Sequence, residues 1–363
     1  MDFTSAHYLG LRHSSVSLGP WTQLSTGQPA ALREVPAAQR VARRLAALQG
    51  LEAGVLGPST LHLMWDVLGT FAREGRPILL DQDAYAISHW GVEHAKAIGA
   101  RVGAFAHHDL DGLRRQLRSL RPGRAGPVIV IDGICVDCGT VAPLGAFLEM
   151  AREYGGVVLC DDTQACGVLG TAHDGARPYG TGGGGTAAWS GTFGDGLVIV
   201  ASLAKGFGVP VAAMSACRAR VNRFLDVSQT RVHCSPPSTP VVLAAERALR
   251  INGLRGDRLR ARLCRNVRVF RSALTDTGVP LATSGLFPVQ SLGPFDRASA
   301  GAMHAALAQQ GVLSVMTSTR NGTGSRLTFL LSARHRADGL QSAARVVANV
   351  IRTAHVKQRG AGS

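Results

Sequence analysis

Short, wholly apolar runs alternate with helical patterns through the middle of this chain, and that alternation limits its fold more than any other feature. The runs are Pro77–Leu80, Val128–Ile131, Val157–Cys160 and Leu197–Ala201. Each is too short for a helix and too uniformly apolar for a strand with one wet face, so the strands they predict are buried on both sides. Between and before them lie amphipathic patterns. Pro36 is followed by Val41, Leu45 and Leu48; Ser59-Thr60 precedes Leu61, Met64, Trp65 and Leu68; Leu144, Phe147, Leu148 and Ala151 form a third. Strands alternating with helices predict βαβ units and a mainly parallel sheet. Gly180–Gly185 reads as a flexible surface loop, because it lacks the G-x-x-x-x-G-K-[ST] order of a nucleotide-binding P-loop. Ser235-Pro236-Pro237-Ser238 interrupts the pattern. Beyond it come a long helical region, a strand-like Phe287–Leu292, a helix over Ala300–Gln309 and strand-like Val312–Met316 and Leu327–Leu331. This tail predicts a smaller α+β domain.

The bulk numbers remove several classes of function. A formal charge of +15 invites nucleic acid as a partner. The densest basic stretch, Arg255 to Arg271, also carries Leu259, Leu263, Val267 and Phe270 at helical spacing, which predicts a helix with a solvated basic outer face. Only four Trp and four Tyr are available for base stacking, so nucleic acid is not the expected partner. No apolar run reaches membrane-span length, and the N-terminus has neither the basic start nor the apolar core of a signal peptide. The expectation is a cytoplasmic protein with no membrane association. Seven cysteines show no disulfide rhythm. Cys135 and Cys138 make a C-x-x-C, but no second pair follows at zinc spacing, so reduced thiols and no metal are expected.

The chain has three lysines, Lys96, Lys205 and Lys357. Lys96 falls in a helical pattern and Lys357 in a polar tail. Lys205 instead follows the apolar run 198–201, with small residues around it that let a flat ring approach the backbone. A nucleophilic lysine must be partly desolvated, and the carboxyl edge of a sheet can supply that. A second apolar strand, Val157–Cys160, ends in Asp161 and Asp162. A strand-end acid can be a structural cap or a metal ligand. Combined with a lysine some forty positions on, Asp161 can instead keep a pyridine nitrogen protonated, which makes pyridoxal 5′-phosphate an electron sink. Gln164 could then hydrogen-bond the ring's phenolic oxygen.

These motifs, in this order, resemble the fold-type I pyridoxal-phosphate enzymes (the aspartate-aminotransferase superfamily, class I/II) and most of all the α-oxoamine synthases. The resemblance starts at Asp2–Leu11. It continues through Asp132-Gly133, Gly139, Ala142-Pro143-Leu144, Asp161-Asp162 with Gly167 and Gly170, Ser202-x-x-Lys205-Gly-Phe-Gly, and Pro236-Pro237. It implies an α/β fold with a mainly parallel seven-stranded sheet flanked by helices, plus a smaller α+β C-terminal domain. The implied divisions are residues 1–30 packing on the small domain, 31–240 as the cofactor-binding domain and 241–363 as the small domain. It implies pyridoxal 5′-phosphate held as a Schiff base on Lys205, with Asp161 facing the pyridine nitrogen. Ser59 and Thr60, in a loop before a helix, and Ser202 would lie near the phosphate. Tyr85 would stack on the ring. His233 and Cys234 would reach a partner subunit's phosphate, implying a homodimer. Arg326 would grip the substrate carboxylate.

The departures from that pattern cluster around the substrate. Gln164 and Tyr85 each stand where the synthases have His, and Val136 where they keep Ser. The resemblance therefore implies an enzyme acting on an amino acid and a second small molecule, an acyl thioester or an oxo acid. Condensation with the thioester is the first expectation. Transamination suits Asp161-x-x-Gln164 equally well, and elimination or replacement at the β or γ carbon is a third course. A catalytically silent subunit is the non-enzyme alternative, which the presence of both Lys205 and Asp161 disfavours.

Overall fold

The computed structural model describes residues 1–120, 125–319 and 322–360, with side chains described as far as 354. It divides into two compact units. The larger comprises Leu11–Cys135 and Val141–Asp257; the smaller comprises Met1–Gly10, Val136–Thr140 and the chain from Arg258 onward.

The larger unit is built on strands β1 (Ala53–Gly57), β2 (Ile78–Asp81), β3 (Val102–Phe105), β4 (Val128–Asp132), β5 (Val157–Asp161), β6 (Leu197–Ser202) and β7 (Ala212–Ala216). They form one sheet in the order β1-β7-β6-β5-β4-β2-β3. Only β7 runs against its neighbours, so the expected seven-stranded, mainly parallel sheet is present. Helices α1 (Pro36–Leu48), α2 (Thr60–Arg73), α3 (Ala86–Ala97), α4 (Leu110–Ser119), α5 (Leu144–Glu153), the short α6 (Thr186–Ser190), α7 (Arg218–Val227) and α8 (Gln229–His233) surround it. On one face, Leu63, Met64, Val67, Leu68 and Phe71 of α2 share a core with Val130, Leu159 and Val200 of the central strands. Val158, Cys160 and Ile199 point the other way and are buried too. Such two-sided burial is why β4, β5 and β6 read as continuous apolar runs.

In the smaller unit, β8 (Val289–Phe295), β9 (Val315–Ser318) and β10 (Ser325–Leu330) form an antiparallel sheet ordered β8-β10-β9. The 37-residue α9 (Thr239–Thr275) enters this unit at Arg258, and α10 (Arg297–Gln309) and α11 (Ala337–Gly360) complete it. Phe3, Phe270 and Phe329 form its aromatic centre, with ring centroids 5.2–5.5 Å apart. The Phe3 N–H donates to the Leu313 carbonyl at 2.9 Å, and its carbonyl accepts from Leu330 N–H at 2.9 Å. Among the described residues no helix is long and apolar enough to cross a membrane.

Three expectations need correction. Residues 183–185 of the glycine run are buried rather than part of a flexible surface loop. Gly185 has φ +85°, and a Cβ there would lie 1.7 Å from Asp162 Oδ2, so packing as well as backbone conformation requires glycine. Arg260, expected on a solvated face, is 1% exposed. Its helix is enclosed from several sides: Leu263, Val267 and Phe270 are buried, and Asn266 Nδ2 donates to the Ser332 and His335 carbonyls. The strand expected at 312–316 begins at Val315, because Val312 is buried ahead of it and Leu313 is engaged by the N-terminal segment instead.

One buried acid secures the segment after β7 that leads to His233 and Cys234. Asp66 of α2 is 2% exposed and accepts from the hydroxyls of Ser228 and Thr230 and from the Gln229 and Thr230 N–H groups. Asp66→Ala would leave two hydroxyls and two backbone donors without their acceptor. A loss of about 2–4 kcal/mol is expected in chemical unfolding, with earlier proteolysis within 228–234.

Candidate active site

Sheet register assembles the site. Gly57 of β1 and Ser202 of β6 both pair with Ala212 of β7, so the β1 exit and the β6 exit share one edge. Asp161 pairs with Asp132 of β4, and β4 in turn lies beside β2, which ends in Asp81. The carboxyl ends of the parallel strands thus carry Asp81, Asp132, Asp161 and Ser202, with Lys205 in the turn beyond β6. This is the edge at which open α/β sheets bind ligands.

Lys205 is largely enclosed. Burial pushes its amine below the ordinary lysine range, while the carboxylates of Asp161 and Asp132 pull it back up. Its Nζ stands 5.6 Å from the ring centroid of Tyr85. Asp161 is 6% exposed, and burial pushes its carboxyl above the usual carboxylate range, opposed by hydrogen bonds from Thr163 and by Lys205. Asp132 is pushed well above that range by burial and then by the charge of Asp161. Two acids and an amine in one desolvated space hold one another's protonation states in balance.

Thr163 ties this edge together. Its N–H donates to Asp161 Oδ1 at 3.0 Å, and its hydroxyl oxygen accepts from the Ser202 N–H at 3.0 Å. The Ser202 hydroxyl oxygen accepts from the Ala204 N–H at 3.2 Å, shaping the turn that carries Lys205. Tyr85, half exposed at the start of α3, is fixed by its own N–H, which donates to Asp132 Oδ2 at 2.9 Å. Asp132 Oδ1 is buried and has no hydrogen-bond partner among the described residues.

Ser59 caps α2 and its side-chain oxygen contacts His62 Nδ1 at 2.9 Å; Thr60 is buried at the first helical position. A helix N-terminus flanked by two hydroxyls is suited to a phosphate. Gln164 is half-buried in the turn after β5. His233 is exposed and Cys234 half-buried at the end of α8, where Cys234 exchanges backbone hydrogen bonds with Thr230 and Ala30. Arg326 belongs to the smaller unit. Its Nη1 donates to the Asp137 carbonyl at 3.2 Å, and its Nε is buried without a partner among the described residues.

Register therefore brings Lys205, Asp161, Ser202, Tyr85 and the Ser59-Thr60 loop to one sheet edge. It does not by itself bring His233, Cys234 or Arg326 there. Sequence reasoning assigned no role to Thr163, to Asp132 or to the Asp81–His107 pair, in which His107 Nδ1 stands 3.0 Å from Asp81 Oδ2. The strand-end position of Asp132 beside the Asp161 strand was the available signal. These residues fit pyridoxal phosphate: an enclosed amine, an acid facing it, an aromatic ring over it, an unsatisfied buried carboxyl oxygen and a phosphate-compatible helix start.

An acid-flanked lysine on the carboxyl edge of a doubly wound sheet defines a class of α/β enzyme that works through a carbonyl-bearing cofactor. The sequence profile of the class I and II aminotransferases matches residues 33–346, and the chain belongs to that family. It is similar to the 8-amino-7-oxononanoate synthase of Acidithiobacillus ferrooxidans, at 29% identity over 97% of this chain and 88% of that protein. Two solved structures share its fold. The Sphingomonas wittichii serine palmitoyltransferase is 20% identical with a TM-score of 0.83, covering 97% of this chain and 87% of that one. The Francisella tularensis 8-amino-7-oxononanoate synthase is 18% identical with a TM-score of 0.74, covering 98% of each.

Behind Asp161, Asp162 is fully buried, and both its oxygens accept from the Thr186 N–H at 3.1 Å. Burial pushes its carboxyl from an ordinary 3.8 up to about 7. The folded state therefore holds this proton more tightly than the unfolded chain. The resulting stabilisation is full below pH 3.8 and lost as pH rises to about 7. Thermal unfolding of Asp162→Asn compared with the parent should show a difference that changes across this window and is flat above it.

Proposed function

We propose that this chain is a pyridoxal-phosphate-dependent transferase of the α-oxoamine-synthase kind, joining the α carbon of an amino acid to the acyl group of a thioester. The observation that carries the reading is the enclosed Lys205 amine between the Asp161 and Asp132 carboxyls and the Tyr85 ring. Similarity to 8-amino-7-oxononanoate synthases over nearly the whole chain supports the reaction. Bound pyridoxal phosphate supplies the electron sink for the substrate's α carbon.

Lys205 would hold the cofactor through its amine and would take the substrate's α proton. Burial loosens the proton on that amine, which suits it to proton exchange. Asp161 would hold the pyridine nitrogen, and that positive partner would keep its carboxylate ionised against the pressure of burial. Tyr85, held by Asp132, would stack on the ring. Ser59, Thr60 and Ser202 would bind the phosphate with the start of α2, and Gln164 would donate to the phenolic oxygen. Arg326, with an unused Nε donor, takes the substrate carboxylate. His233 and Cys234 complete the phosphate site of a partner subunit in a homodimer. Residues 31–240, which lie in the larger unit except for Val136–Thr140, form the cofactor-binding domain, and the protein works in the cytoplasm.

Transamination is the second reading, favoured by the Asp161-x-x-Gln164 pattern. The two separate in one assay, with cofactor-loaded protein given small amino acids and saturated acyl-coenzyme A thioesters of graded length. Condensation releases free thiol only when both substrates are present, one per amino acid consumed. Lys205→Ala should abolish the release, and Asp161→Asn should lower it by about 100-fold or more. Conversion of the cofactor to its amine form with oxo-acid formation and no thiol release would overturn the synthase reading in favour of transamination.

A further inference from the structure

A cavity of about 390 Å³ opens at the end of the sheet opposite Lys205, wholly within the larger unit. Its floor is apolar, formed by Val67 and Phe71 of α2, Val198 of β6, Met214 of β7 and Phe224 of α7. Its rim is cationic. Arg76, Arg220 and Arg223 line it together with two acids, Glu74 and Asp195, leaving one positive charge in surplus. Glu74 is shared: Arg76 Nε lies 2.9 Å from one of its oxygens and Arg223 Nε 3.6 Å from the other. Arg220 Nε donates to the Asp195 backbone carbonyl at 3.0 Å, a neutral partner. Burial and then the nearby Arg76 push the Arg220 guanidinium below its ordinary range, against the pull of Cys217, Glu74 and Asp195.

Thr70 completes the wall at 7% exposure, with its hydroxyl oxygen shielded from the open space. The cavity therefore offers an apolar bed and one surplus guanidinium charge, within the volume range of small-molecule pockets.

We propose that this cavity binds a small monocarboxylate with an apolar tail. The tail lies on Phe71, Met214 and Phe224, and the carboxylate meets the Arg220 guanidinium. A guanidinium fork matches a carboxylate in shape as well as charge. The site is separate from the cofactor site: ten residues of α2 at 1.5 Å each put Thr70 about 15 Å from Thr60. The proposal does not rest on the reaction assigned above. Two cavity elements nevertheless run directly to the catalytic edge, α2 to the phosphate end and β6 to Lys205.

The test is calorimetric titration of the cofactor-loaded full-length protein with octanoate, with octylammonium and octanol as charge controls. One saturable octanoate site is expected, with neither control matching it. Arg220→Met, which keeps the aliphatic stem, should weaken it about tenfold or more. Cys217 also lines the cavity and is half-buried, so it reports occupancy without mutation. Its modification by N-ethylmaleimide, mapped by peptide mass, should slow roughly fivefold at octanoate four times its Kd, with Cys234 unaffected. The absence of a saturable isotherm, affinity unchanged in Arg220→Met, or protection of Cys234 in place of Cys217 would overturn the proposal.

Discussion

The protein depends on keeping an amine and two carboxyl groups together on a desolvated sheet edge. Isolated, each group would neutralise itself there: burial alone pushes Lys205 down and Asp161 and Asp132 up. Together they offset part of that pressure. The aspartates oppose the fall of the lysine, and the lysine opposes the rise of the aspartates. Such a site suits the proposed roles, a cationic ring nitrogen beside Asp161 and a proton exchanged at Lys205.

Backbone hydrogen bonding supplies the precision. Asp132 and Asp161 are placed by strand register, Lys205 by the Ser202 turn, and both strand exits by Thr163. Tyr85 is fixed by a backbone N–H bonded to Asp132, so the aromatic ring over the amine and the acid beside it are positioned by one contact. Asp162 is given over to the architecture. It anchors the start of α6 under a glycine that no other residue could replace, so adjacent aspartates of one strand end serve separate purposes.

Much of this was legible in the sequence, for identifiable reasons. β4, β5 and β6 stood out because burial on both faces demands unbroken apolar runs. Lys205 and Asp161 stood out because they end such runs and because lysine is scarce here. β1 and β7 did not: Ala53–Gly57 and Ala212–Ala216 are built mainly of glycine and alanine, which carry little strand preference. The edge strand β3, Val102-Gly-Ala-Phe105, is apolar but short and half glycine and alanine, so it did not stand out either. Asp132 and Thr163 acquire their importance only through register, which pairs residues far apart in the chain. The burial of Arg260 was hidden because helical spacing identifies one apolar face, whereas α9 is enclosed on more than one.

The most direct test of the central claim is chemical. The protein is incubated with pyridoxal phosphate, reduced with borohydride, digested and mapped by mass. The account predicts a single phosphopyridoxyl group, on Lys205. Its appearance on Lys96 or Lys357 instead, or on no lysine, would contradict the assignment of Lys205 as the residue around which this sheet edge is built.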